Sequence, residues 1–274
     1  MTVTVDGATR LHFIIGDPIA QVRSPAGMTQ AFARLGRNAV VVPIHVSAEK
    51  LQTFLAGVSL AKNVDGIIVT IPHKFACYDF CTTASDRARF LRAVNIIRHI
   101  PGGGWFGEMF DGLAFVGAVR AAGCDPQGLR ALLIGAGGAG SAIALALIEA
   151  GVLELAVHDA DSSRRDSLIR RLARKTETRI TIGSADPTGF DLIANATPAG
   201  MRLGDPLPVQ VERLTPQMFV GCVITAPAVS PTVEAARKVG CRTSVGGDMY
   251  AVEQELMLQF LLEGADGQRS GEAA

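Results

Sequence analysis

Leu132-Leu133-Ile134-Gly135-Ala136-Gly137-Gly138-Ala139-Gly140 is the stretch on which the reading of this chain turns. An apolar run reaches Gly135, and G-x-G-x-x-G then leads into the small and apolar residues that follow Ser141. The first glycine permits a tight turn. The second lets a pyrophosphate approach the backbone, and the third lets helix and strand pack closely. Free N–H groups at the helix start bind the anion. Such a motif is weak alone and gains meaning from strand, turn and helix in that order. Gly135, Ala136, Gly137, Gly138 and Ala139 are therefore expected to cradle the phosphates of a dinucleotide. A hydropathy window flags the same region, Leu132 to Gly151, as a membrane span, with Glu149 its single charge. The glycines divide it into a buried strand, a turn and a buried helix, so no membrane role is expected.

Further βα units surround this stretch. Strands are expected at Leu129–Ile134, Leu153–His158, Arg179–Ile182, Asp191–Asn195, Phe219–Ile224 and Arg242–Val245, with helical segments between most of them. Gly112–Ala122 and Met249–Leu262 read as helices. Upstream, Leu11–Ile15, Ala39–Val46 and Gly66–Ile71 read as strands, and Met28–Leu35 and Ala48–Leu60 as helices. Pro43 marks its strand as an edge or an end. Fully apolar strands between helices predict a parallel sheet covered on both faces. A hairpin is expected from Ala93–Ile97 through the turn at Pro101–Gly104 to Phe106.

The fold class is therefore α/β, with a substrate domain over 1–112 and a Rossmann domain over 113–246. A helix over 247–264 is expected to return to the first domain, and 265–274 to be a frayed tail. The length of 274 residues allows one or two domains. Hydrophobic residues at 48% and charged residues at 19% exclude a disordered chain. With 26 basic and 26 acidic residues the net charge is zero, which argues against nucleic acid or an anionic membrane as the main partner. Cys77, Cys81, Cys124, Cys222 and Cys241 are odd in number and scattered, which suits inert thiols in a reducing compartment. The opening MTVTVDGATR lacks an export pattern, and a cytoplasmic protein is expected. The histidines (His12, His45, His73, His99, His158) show no ligand spacing, and no metal is expected.

The strand after the glycines ends at Val157-His158-Asp159-Ala160-Asp161. An acidic residue about 20 positions beyond the motif hydrogen-bonds the adenosine ribose and repels a 2′-phosphate. Asp159 thus predicts NAD rather than NADP. Arg164, just downstream, is within reach of a 2′-phosphate and is the contrary sign; Arg165, Arg170, Arg171, Arg174 and Lys175 suit a solvated helix face.

Five segments in order give the chain a resemblance to the shikimate/quinate dehydrogenase family. They are Gly16-Asp-Pro-Ile-Ala-Gln-Val22-Arg23-Ser24-Pro25, Val69-Thr70-Ile71-Pro72-His73-Lys74, Arg92-Ala-Val-Asn95, Gly107-Glu-Met-Phe-Asp111-Gly112 and Asn195-Ala196-Thr197-Pro198-Ala-Gly200-Met201. The resemblance implies an oxidoreductase of the kind used in aromatic amino acid biosynthesis, with its active site in the cleft between two domains. It implies Lys74 and Asp111 as the catalytic pair and Val22, Ser24, Ile68, Thr70, Asn95, Phe110 and Glu253 around the substrate. It adds Ala196, Thr197, Pro198, Met201 and Met249 to the glycine loop, Asp159 and Arg164 as cofactor contacts. Hydride leaves a carbinol carbon only as the hydroxyl proton departs, and a positioned Lys or Asp can take that proton and return it. The resemblance implies a small cyclic hydroxy acid as partner, and a monomer or homodimer is expected.

The substrate-holding positions depart from the family pattern in one direction. Val22 replaces a serine, Ile68 an asparagine, and Met109-Phe110 an Asn-Thr pair; Thr225 stands for a tyrosine and Glu253, beside Gln254, for a glutamine. Ser24, Thr70 and Asn95 remain. A site that hydrogen-bonds hydroxyls discriminates strongly for them, and apolar replacements desolvate them without compensation. The expected substrate is therefore shikimate-like but not shikimate itself. The rival readings are an ordinary shikimate dehydrogenase and a non-catalytic dinucleotide or metabolite sensor, which would have no need of the Lys–Asp pair.

Overall fold

The computed structural model describes residues 4–269. The chain divides into two compact units, one closing at Phe110 and resuming at Gln254, the other running Asp111–Glu253.

The first unit contains β1 (Arg10–Gly16), α1 (Ser24–Arg34), β2 (Ala39–His45), α2 (Leu51–Val58), β3 (Val64–Val69), α3 (Lys74–Phe80), β4 (Thr83–Ala84), α4 (Asp86–Leu91), β5 (Ile96–His99) and β6 (Trp105–Glu108). Its sheet has the order β2-β1-β3-β5-β6-β4. β1 pairs in parallel with β2 and β3, and Pro43 lies on the edge strand. β5 then runs antiparallel to both β3 and β6. The parallel arrangement expected of the first three strands holds, and the hairpin expected after Ala93 adds β5 and β6 antiparallel, so the whole sheet is mixed. The turn at Pro101–Gly104 is too short for the crossover that a parallel neighbour needs. The helix expected over Ala48–Leu60 is a 3-10 turn at Ala48–Lys50 followed by α2. One face of this sheet carries a core of Ile14, Met28, Phe32, Ile68, Ile96 and residues from the C-terminal helix, Met257, Phe260 and Leu261.

The second unit contains α5 (Asp111–Ala121), β7 (Arg130–Ile134), α6 (Gly138–Glu149), β8 (Glu154–His158), α7 (Ser162–Leu172), β9 (Arg179–Ile182), β10 (Leu192–Asn195), β11 (Phe219–Cys222), α8 (Pro231–Val239) and β12 (Arg242–Ser244). All strands are parallel, in the order β12-β11-β10-β7-β8-β9. α5 and α6 approach closely because Gly112 has no side chain. A Cβ there would fall on the Ala142 carbonyl oxygen. The last helix, α9 (Gly246–Arg269), starts before and ends beyond the expected Met249–Leu262. Helix therefore occupies the first part of the segment read as a frayed tail, and 270–274 lie outside the described residues. No helix among the described residues is long and apolar enough to cross a membrane. The suspect window is β7, a glycine turn and α6.

His12 on β1 is 3% exposed and stacks on Phe32 with ring centroids 4.7 Å apart. Its Nδ1 has no hydrogen-bond partner among the described residues. Burial pulls its pKa down to about 4, against a smaller upward pull from Asp65. The folded state therefore requires neutral imidazole. The resulting stability is complete above the unfolded value of about 6.5 and is lost as pH falls toward 4, by about 3 kcal/mol. Urea unfolding between about pH 7 and 4 should be flatter in His12→Leu than in the wild type. Parallel profiles would show that another group carries the acid sensitivity.

Candidate functional site

Each unit has a topological switch point, where the strand order reverses beside its first strand, and such points form crevices for ligands at the carboxyl ends of the strands. In the second unit the switch lies between β7 and β10. Gly135 has φ +102°, and its N–H donates to the His158 carbonyl at 2.8 Å. A Cβ on Gly135 would lie 2.9 Å from the Ala196 carbonyl carbon, so the loop after β10 packs directly on the turn after β7. A Cβ on Gly140 would collide with the Gly135 carbonyl oxygen. Gly137, the N-cap of α6, has nothing within 4 Å of the Cβ position. Two glycines are thus required by the protein's own packing, and the middle one opens onto free space beside a helix start. That is the division of labour a pyrophosphate cradle needs.

Asn195 fixes the facing loop. Fully buried, it accepts hydrogen bonds from the Thr197 N–H at 3.0 Å and hydroxyl at 2.7 Å, and its amide donates to Cys222 Sγ at 3.3 Å. This Asx turn sets Ala196, Thr197 and Pro198. Asp205 closes the next bend by accepting from the Gly200 and Arg202 N–H groups at 2.9 and 3.0 Å. Met201 packs on Cys222, Ile224 and Val233. Met249, near the start of α9, is 7% exposed. The organising roles of Asn195 and Asp205 were not anticipated. A strand ending in Asn-x-Thr was the available signal for the first.

In the first unit the switch lies between β1 and β3. The Thr70 N–H donates to the Ile15 carbonyl at 3.0 Å, and the Asp17 N–H to the Ile71 carbonyl at 2.9 Å. A Cβ on Gly16 would strike the Thr70 methyl, so glycine lets the opening loop lie on the lysine motif. His73, 1% exposed, is hydrogen-bonded through Nε2 to the Val46 carbonyl at 2.7 Å. It anchors the turn from which Lys74 starts α3. Lys74 is 8% exposed, and its carbonyl accepts from the Val94 N–H at 3.0 Å. The next residue, Asn95, is fully buried. Its N–H donates to the Glu108 carbonyl at 3.0 Å, and its Oδ1 accepts from the Phe110 N–H at 2.9 Å. Phe110 leads directly to Asp111, the first residue of α5, 1% exposed. A carboxylate is favoured at a helix start.

Ser24 opens α1 at 6% exposure, and Ile68 is 3% exposed within the core under α1 and α9. Val22 and Phe110 are half-buried against that core, and Phe110 meets Phe260 edge-on at 5.9 Å. Glu253 lies on α9. Its neighbour Gln254 anchors the helix, donating to the Gly27 carbonyl in α1 at 3.4 Å. The five cysteines are free; burial raises Cys77 and pushes Cys81 up to about 12. The described residues contain no cluster of three or more His, Cys, Asp or Glu side chains able to hold a metal ion.

Two α/β units, the second with an open glycine turn at its switch point, are the frame of a dinucleotide-dependent oxidoreductase that acts on a CH–OH group. Residues 14–97 match the shikimate dehydrogenase substrate binding domain. A shikimate dehydrogenase (NADP(+)) of Rubrobacter xylanophilus is 37% identical over 271 residues, 97% of this chain and 92% of that protein. Among solved structures, a quinate dehydrogenase of Corynebacterium glutamicum in complex with NAD aligns with TM-score 0.81 at 27% identity, covering 92% of this chain and 93% of the other. The 5-ketofructose reductase of a Gluconobacter sp. aligns with TM-score 0.79 at 27% identity, covering 93% of each chain. The chain belongs to the shikimate dehydrogenase family.

The relatives overturn the expectation of NAD. The Rubrobacter enzyme and further curated relatives are NADP(+) shikimate dehydrogenases. The structure supplies the physical reason. Asp159 Oδ2 accepts from the Ala136 N–H at 2.7 Å and Oδ1 from the Asp161 N–H at 2.8 Å, leaving its side chain 9% exposed. A carboxylate spent on the glycine loop is a poor guard of the ribose. Arg164, 52% exposed, stands over it with Nη1 3.7 Å from Asp159 Oδ2. The aspartate ties down the turn, and the half-exposed Arg164 guanidinium lies beside it, between Asp159 and Asp161.

Proposed function

We propose that the protein is an NADP-dependent dehydrogenase interconverting a secondary alcohol and a ketone on a cyclic hydroxy acid of shikimate or quinate type, with shikimate itself a poor substrate. The observation that carries the reading is the Asn95 relay. One buried residue is tied to Glu108 and Phe110, and its chain neighbour to Lys74. The lysine motif and the aspartate motif are thereby pinned to a single segment, as a proton-transferring pair requires.

The residues that would hold the dinucleotide are Gly135, Ala136, Gly137, Gly138 and Ala139 at the pyrophosphate, Arg164 at the 2′-phosphate, and Ala196, Thr197, Pro198, Met201 and Met249 toward the nicotinamide. When bound, NADP supplies the hydride acceptor. Lys74 takes the proton of the substrate hydroxyl and returns it in the reverse direction, and Asp111 takes part in the same proton transfer. Ser24, Thr70 and Asn95 are left to bind the carboxylate and remaining hydroxyls.

The substrate preference follows from Val22, half-buried where the family pattern has a serine. A hydroxyl brought against it loses water and gains no partner, whereas Ile68 lies in the core and takes no part. Solved structures similar to this chain include a quinate dehydrogenase and a 5-ketofructose reductase, which supports a changed substrate on the same scaffold. The test is a panel of cyclic hydroxy acids with NADP, run on the wild type and on Val22→Ser. Wild-type kcat/KM for shikimate should fall at least about tenfold below the best panel member, and Val22→Ser should recover a factor of about 10 on shikimate. Shikimate as the best substrate, undisturbed by Val22→Ser, would instead assign an ordinary shikimate dehydrogenase.

A further inference from the structure

Cys222 ends β11 at 1% exposure and belongs to none of the motifs that carry the resemblance. Its sulfur nevertheless joins the segments that follow two neighbouring strands. Asn195 Nδ2 donates to Cys222 Sγ at 3.3 Å, and the Ser230 hydroxyl donates to the same sulfur at 3.3 Å. The Asn195 carboxamide cannot turn over without loss. Its Oδ1 is taken by the Thr197 N–H and hydroxyl, so Nδ2 must face the sulfur. Ser230, itself 1% exposed, caps α8 by accepting from the Val233 N–H at 3.4 Å. Strand register sets Asn195 beside Cys222, and the Val223 N–H donates to the Asn195 carbonyl at 3.1 Å. The far end of the loop that Asn195 begins leans on the same helix start. A Cβ on Gly200 would lie 3.3 Å from Pro231 Cδ, and Met201 packs on the cluster that contains Cys222. The sulfur is therefore the shared acceptor beneath the turn at 196–198 and the start of α8.

We propose that Cys222 is a positioning residue for the nicotinamide end of the dinucleotide, acting through Asn195. The proposal rests on the reading of this chain as a dehydrogenase whose loop at 196–201 meets that ring. The role is that of an acceptor and needs no thiol chemistry. Without the sulfur, a buried amide N–H and a buried hydroxyl lose their partner. The penalty is relieved only if the carboxamide turns over or the loop moves, and either breaks the ties to Thr197. Part of the population then cannot receive the ring, and affinity falls by the fraction that remains competent. One unpaired buried donor suffices for a factor of about ten. The adenosine half keeps its own contacts.

Cys222→Ala and Cys222→Ser remove the same sulfur and leave side chains of nearly equal size, but only serine keeps an acceptor. Calorimetry on the full chain measures the binding of NADPH and of adenosine 2′,5′-bisphosphate, and turnover is followed with the hydroxy acid panel. Cys222→Ala should bind NADPH about ten times more weakly, hold the bisphosphate within about twofold, and lose at least about tenfold in kcat. Cys222→Ser should return NADPH affinity to within about threefold of the wild type. Wild-type NADPH affinity in Cys222→Ala, an equal loss for the bisphosphate, or a serine variant as weak as the alanine one overturns the proposal. The dehydrogenase reading fails separately, if the wild type turns over no acid of the panel while NADPH binding still separates alanine from serine.

Discussion

Lys74→Ala lowers kcat by a factor of about 10²–10⁴ and leaves NADP affinity within about twofold. The backbone should tolerate the change, because the tie from Val94 reaches the Lys74 carbonyl and not its amine. The informative companion is Lys74→Arg. A guanidinium keeps the positive charge but does not give up its proton in proteins, so it can serve an ion pair and cannot relay a proton. Under the proposed mechanism it is as slow as alanine. Asp111→Asn should lower kcat by a similar order, and the double variant should be little worse than either single one, as expected of groups acting as a unit. Near-normal turnover of Lys74→Arg would assign this lysine a structural charge and remove it from the chemistry.

The second large effect separates two glycines of one motif. Gly140→Ala should cost about 3 kcal/mol of stability, because its methyl would collide with the Gly135 carbonyl oxygen on the turn itself. Elsewhere in a helix the same change stabilises by up to about 1 kcal/mol, so even a neutral result would be a net penalty. Gly137→Ala has open space for its methyl and an ordinary φ of −72°. Its melting temperature should match the wild type while NADP affinity drops at least about tenfold, since the methyl occupies the phosphate's approach. Thermal unfolding and calorimetry read the two outcomes. Unimpaired NADP binding by Gly137→Ala would mean that the pyrophosphate does not pass this glycine.

The parts of the fold that the sequence disclosed are those with strong local signals. G-x-G-x-x-G after an apolar run placed β7, its turn and α6. Pro43 marked an edge strand, and β2 is one. The parallel first strands and the β5–β6 hairpin were legible; the antiparallel pairing of β5 with β3 was not, because no local signal reports which strand a hairpin joins. α3 spans seven residues and α4 six, too few turns for a helical period to show. The site was legible as residue types and obscure as partnerships. Asp159 stood where a ribose ligand belongs, but backbone donors in its own loop claimed both oxygens. Spacing alone does not reveal such competition. Nor did it show that Asn195 and Asn95, both fully buried, are the residues that shape the two ligand-facing segments.

The most direct test follows deuterium from the carbinol carbon. Quinate and shikimate, labelled at each secondary alcohol carbon, are incubated with NADP and the full-length protein, and the reduced dinucleotide is analysed by mass spectrometry. Hydride transfer predicts one deuterium in each NADPH formed, with the label on a single face of the nicotinamide. Tight NADP binding with no label transferred from either acid, or deuterium lost to water instead, would contradict it.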